Sequence, residues 1–171
     1  MGQRVYGFDE QFAIGKRGEA ALDAFLSGRL GARVLDVRQL ERAGVDRVYT
    51  MGGANHMLVE YKTDMIAAET GNAFIELVSV NKDGRQGWAY TCKSDALIYF
   101  CADKTGGGRA FWLTPARIHA ELPSWLVRYP RRTVHNANYE GQGLLVPLAE
   151  IERIAVLVYN VPSGQMAAAK A

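Results

Sequence analysis

A chain of 171 residues that is 49% apolar, with a net charge of +2, is long enough to bury a full core without staples. It is too close to neutral to bind nucleic acid through a global field. Two cysteines, Cys92 and Cys101, fit neither a zinc spacing nor a disulfide framework, which points to a reducing compartment. No apolar run reaches membrane-spanning length and residues 1–4 lead into no signal-peptide core, so a soluble, intracellular, cytoplasmic protein without a membrane partner is expected.

Ile14, Ala21, Leu22, Phe25 and Leu26 fall at helical spacing and predict a first helix over 8–27, with Gly28 as its stop. A strand is expected over 33–37. A hairpin follows, with 46–51 folded against 56–62 through a turn at 51–55. A loop at 63–72 leads to a strand over 73–80, a polar loop at 81–87 and a helical turn at 88–94. Strands over 96–101 and 109–113 flank a glycine-rich turn at 105–108. Thr114 and Pro115 read as N-cap and first residue of a helix to His119 or Ala120, which Pro123 breaks or restarts. Residues 129–139 read as irregular and 144–146 as a short strand. Pro147 opens a helix to about Ile154, and 155–159 either closes it or forms a last strand. The sum is an α/β protein, a central mixed β-sheet flanked by helices, in a single domain over 1–162 with a flexible tail at 163–171.

The hairpin carries the chemistry. Alternation along a strand puts Glu60 and Lys62 on one face and Val59 and Tyr61 on the other, and the turn brings Asp46 back toward Glu60. Two carboxylates suit a hard divalent cation, and an adjacent amine suits positioning a water and stabilising developing charge. Oxygen-only ligands favour Mg²⁺ or Mn²⁺ over zinc. The bland alternative is a surface hairpin with a cross-strand ion pair, worth little. The apolar neighbours of these charges argue for a central strand, where a carboxylate and an amine need compensation.

The order Asp46…Glu60-Tyr61-Lys62, preceded by a helix, resembles the PD-(D/E)XK nuclease superfamily, whose fold is restriction-endonuclease-like. The proline that often precedes the first acid is Val45 here. The stretches 70–76, 87–88 and 94–100 also look like small phage-type and homing-type members. The resemblance implies a phage-encoded, metal-dependent DNA endonuclease. Asp46, Glu60, the Tyr61 backbone carbonyl and Glu19 would be metal ligands, Lys62 would be catalytic, and two copies would pair to cut two strands. A structure-specific nuclease for junctions or repair, and an inactive nucleic-acid-binding module of the same fold, stay open beside it. So does an interaction protein in which Lys62 only pairs with an acid.

Other residues add to this with less force. Glu76 lies in an apolar stripe of its strand and needs a partner, either Lys62, a metal shell or an arginine at the sheet margin. Gly15 and Gly18 would let the first helix approach the sheet or a nucleic-acid backbone. Lys16, Arg17, Lys82, Arg85, Trp88, Lys93, Arg131 and Arg132 are candidates for phosphate contact and base stacking, or ordinary surface. His56, His119 and His135 show no ligand spacing.

Overall fold

The computed structural model describes residues 8–37, 44–52, 55–80, 83–135 and 140–164. The expected tail beyond 164, the tip of the first hairpin and Lys82 lie outside these residues.

The chain opens with α1 (Phe8–Leu30) and continues through β1 (Arg33–Asp36), β2 (Arg47–Thr50) and β3 (His56–Asp64). A single turn, α2 (Ala67–Thr70), leads to β4 (Asn72–Val80), β5 (Arg85–Gln86) and α3 (Trp88–Thr91). Next come β6 (Ala96–Ala102), β7 (Gly108–Leu113) and α4 (Pro115–Arg128). β8 (Arg131–His135), β9 (Glu140–Pro147), α5 (Leu148–Ile154) and β10 (Leu157–Val161) complete it. The strands form two sheets. One runs β1-β2-β3-β6-β7-β10, the other β5-β4-β9-β8. The first is mixed, since β3 and β6 run parallel while its other pairs are antiparallel. The class is α/β with a central mixed sheet and helices packed on it, as expected.

β6 shows why the layers stack as they do. Every residue of Ala96–Ala102 is buried, the mark of a strand covered on both faces. Ala96, Ile98, Phe100 and Ala102 enter one apolar cluster with Ala21, Leu22 and Leu26 of α1. Leu97, Tyr99 and Cys101 enter the other, with β4, β9, α4 and α5. So α1 covers one face of the six-stranded sheet, and the second sheet with the later helices covers the other. Val59 and Tyr61 of β3 belong to the α1 side, which leaves Glu60 and Lys62 on the side of β4.

Four expectations are corrected. α1 runs through Gly28 to Leu30 and stops at Gly31, whose φ of +59° supplies the left-handed cap. α4 continues through Pro123 to Arg128, because Ile118, Leu122 and Trp125 form a buried stripe that the helix must present. The segment expected to be irregular contains β8, an edge strand paired to β9 from Arg131↔Leu144 to His135↔Glu140. β9 is correspondingly longer than the strand expected at 144–146. Smaller differences are β3 reaching Asp64, α2 inside the expected loop, and the two-residue β5. β10 settles the open choice at the end in favour of a strand, paired to β7.

Candidate active site

Asp46 stands one residue ahead of β2, opposite Glu60 by the register Arg47↔Val59. Its own N–H donates to the Val59 carbonyl at 2.9 Å. Its Oδ2 accepts the backbone N–H of Tyr61 at 2.7 Å. The carboxylate is thereby clamped across β3, between the residues that flank Tyr61. Burial raises the Asp46 pKa, the nearby Glu60 charge raises it further, and the Tyr61 N–H and Lys62 oppose them.

Glu60 is 5% exposed. One carboxylate oxygen, Oε1, is ion-paired with the Lys62 amine. The other, Oε2, is buried and has no hydrogen-bond partner among the described residues. A buried carboxylate oxygen left without a donor is costly and marks a place for a missing charge or donor. Gly44, at φ +73°, forms the adjacent wall. A Cβ there would lie 3.7 Å from Glu60 Oε2 and 3.8 Å from Cys92 Cα.

Lys62 is 31% exposed along its side chain, yet its amine is surrounded by acids. Burial would lower its pKa, but Glu60 first, then Asp46 and Glu76, outweigh it, and the pKa is raised above the ordinary lysine value. At neutral pH the group is therefore an ammonium and a donor. Glu76 is half-buried on β4, and its charge is the weakest of the three that raise this pKa. Gly87 allows the close approach of α3 to this strand. A Cβ at Gly87 would sit 2.6 Å from the Glu76 carbonyl carbon and 2.8 Å from its Cγ. The structure thus brings Asp46, Glu60 and Lys62 together, with Glu76 acting on the amine through its charge alone.

Glu19 is placed differently. Its Oε2 is held by Lys16 Nζ and by Arg47 Nη2, both at 3.0 Å, on the α1 side of the sheet. Its carboxylate is taken up there and not beside Glu60. Arg47, 5% exposed, also donates from Nε to both oxygens of Asp23, at 3.0 and 2.8 Å, and from Nη1 to the Asp46 carbonyl at 2.8 Å. The Tyr61 hydroxyl donates to Asp23 Oδ1 at 3.0 Å and contacts the Tyr49 hydroxyl. Burial raises the Asp23 pKa against the pull of Arg47. Sequence reasoning missed the Arg47–Asp23 pair. Its available signal was the i, i+4 spacing of Glu19 and Asp23 opposite an inward-facing cation.

The nucleic-acid candidates divide. Trp88 is a core residue, 8% exposed, with its ring centroid 6.1 Å from that of Tyr99, so it offers no free face for stacking. It was expected at the surface because its basic neighbours are there, and it is buried because α3 packs it into the core. Lys93, Arg131 and Arg132 are exposed, and Arg85 is exposed beside Asp83 at 3.2 Å. Arg17 is half-buried on α1, and Lys16 is engaged with Glu19.

Among the described residues, no group of three or more His, Cys, Asp and Glu side chains is gathered closely enough to hold a metal ion. The residues that could hold a cation here are two, Glu60, whose Oε2 has no partner among the described residues, and Asp46. No helix among the described residues is long and apolar enough to cross a membrane. No protein-family model, no curated protein and no solved structure matches the chain.

Proposed function

We propose that the chain is a metal-dependent nuclease that hydrolyses phosphodiester bonds of DNA, as the resemblance of Asp46…Glu60-Tyr61-Lys62 to the PD-(D/E)XK superfamily implies. The observation that carries this is Glu60: one oxygen is paired with Lys62, the other is buried without a partner among the described residues, and the Asp46 charge acts on the same group.

Asp46 and Glu60 would hold Mg²⁺ or Mn²⁺, with the Tyr61 carbonyl as a further oxygen ligand. When bound, the cation polarises a phosphate oxygen and acidifies a water. The chain's own groups do the rest. Lys62, held as an ammonium, donates to the attacking water and to the charge that grows on the phosphorane oxygens. Water oxygen bonds to phosphorus, the bond from phosphorus to the leaving sugar oxygen breaks, and the water's proton passes through solvent to that oxygen. Asp46 is kept in place by the Tyr61 N–H while charge builds. Glu76 balances the ammonium from β4. Exposed Lys93, Arg131 and Arg132 are the candidates for phosphate contact outside this site.

The test is incubation of plasmid, linear and branched DNA with the protein in Mg²⁺, in Mn²⁺ and in chelator. Cleavage in either metal that stops with chelator, and that Lys62→Ala abolishes, supports the assignment. Normal cleavage by Lys62→Ala would refute the role given to Lys62. Preference for branched DNA would assign a structure-specific enzyme. DNA retention without cleavage would assign a binding module.

A further inference from the structure

We infer that Arg47 is a positioning residue for Asp46, that Glu19 of α1 acts on the site only through Arg47, and that Asp23 acts through both Arg47 and Tyr61. The proposal rests on the nuclease assignment for its functional consequence, not for its geometry. Asp46 stands outside the β2 ladder, so the strand leaves its carbonyl unpaired, and Arg47 Nη1 takes that carbonyl at 2.8 Å. The same guanidinium is fastened to α1 by both oxygens of Asp23 and by Oε2 of Glu19, and lies 3.7 Å from Asp36 of β1. Its Cζ lies over the Tyr61 ring, 5.5 Å from the centroid, and the Tyr61 hydroxyl is held by Asp23. Tyr61 N–H is the donor that clamps the Asp46 carboxylate. The circuit is closed: α1 holds Arg47 and Tyr61, and these hold the main chain and side chain of Asp46. A planar fork with fixed donors suits this use, and a lysine cannot span the same partners.

Glu19 was expected to complete a metal shell. The tether gives it another task. A buried arginine needs compensating carboxylates, and Glu19 and Asp23 supply them. Loss of either would loosen Asp46 without removing a ligand.

The test is a double-substitution cycle of Glu19→Gln and Arg47→Met, with Arg47→Lys as a second variant should Arg47→Met fail to fold. Two measurements are made on the full chain: hydrogen exchange of individual amides without metal, and Mn²⁺ affinity by electron paramagnetic resonance. Loss of Arg47 is expected to speed exchange of the Tyr61 amide about tenfold while Ile98 and Phe100 amides in β6 keep their protection. Mn²⁺ affinity is expected to fall about tenfold or more, as for other residues that orient ligands. Adding Glu19→Gln to the Arg47 variant is expected to cost nothing further. Losses in Mn²⁺ affinity that add would make Glu19 a direct ligand and overturn the proposal. Exchange at Tyr61 that is unchanged, or that rises in step with β6, would overturn it too. Absence of Mn²⁺ binding by the unsubstituted protein would refute the nuclease assignment instead, and the exchange pattern would still decide the tether.

Discussion

The carboxylate of Asp46 accepts the backbone N–H of Tyr61 at 2.7 Å, and this ties the acid ahead of β2 to the strand that carries Glu60 and Lys62. A short loop or strand end does not hold an acid in register by itself. Here the hydrogen bond fixes Asp46 at the level of Tyr61, so its charge and that of Glu60 confront each other. Such a pair is held against repulsion by Lys62, and in the proposed nuclease a cation would relieve it further.

A metal-linked gain in stability should follow. Mn²⁺ at a hundredfold excess over Kd is expected to stabilise the protein by about 2.7 kcal/mol, a rise of several degrees in Tm. Asp46→Asn and Glu60→Gln are expected to lose that rise. Lys62→Met is expected to keep it, although without metal it costs about 1–3 kcal/mol by leaving the Glu60 carboxylate buried without its amine. Thermal scans with Mn²⁺ and with chelator measure all four proteins. An identical melting temperature in both conditions for the unsubstituted chain would leave Glu60 and Lys62 as a plain ion pair.

Two glycines of α1 should respond in opposite directions to the same change. At Gly18 a new Cβ would lie 2.8 Å from Thr63 Cγ2 and 2.9 Å from its Cβ, with Thr63 Oγ1 closer still. Thr63 is β-branched and belongs to β3, so relief requires the helix to move. Gly18→Ala is expected to destabilise by about 1–3 kcal/mol. At Gly15 nothing lies within 4 Å, and Gly15→Ala is expected to stabilise by about 0.5–1 kcal/mol through helix propensity. Urea unfolding separates them. Equal effects would mean that α1 does not rest on β3 at Gly18.

Local pattern made some of this fold legible and left the rest to tertiary pairing. α1 was readable from its apolar spacing, the first hairpin from alternation and β6 from an unbroken apolar run. Alternation also placed Glu60 and Lys62 on one face, and they pair. β8 was not readable. Arg131, Arg132 and Thr133 are exposed and show no alternation, and the strand exists because β9 pairs with it. The pairing of Glu19 with Arg47 was hidden for the same kind of reason: the two are 28 residues apart, and only the packing of α1 on β2 brings them together. Trp88 misled because its neighbours are basic, whereas its own ring packs inward.

The two thiols should be inert in the folded protein. Cys101 is buried, and burial together with the Asp64 charge pushes its pKa up to about 12. Cys92 is raised by burial against its hydrogen bond with Ser94. The thiolate is the reactive form, and neither thiol supplies it at pH 8. A chromogenic disulfide reagent is expected to modify neither cysteine in the native state and both after denaturation. Fast native modification of either thiol would contradict its burial.

Pro123 sits inside α4 on its exposed side, between Leu122 and Trp125, which are buried. A proline there has no N–H for the His119 carbonyl, and its ring crowds the preceding turn. The helix persists because Ile118, Leu122 and Trp125 secure it to the core. Pro123→Ala restores the hydrogen bond and removes the crowding, worth about 3 kcal/mol, but frees the unfolded chain, which takes back up to about 1 kcal/mol. A net stabilisation of about 2 kcal/mol is therefore expected, read as a higher urea midpoint with an unchanged slope. A lower midpoint would mean that α4 depends on a bend at Pro123, and that the buried stripe is aligned by the proline rather than in spite of it.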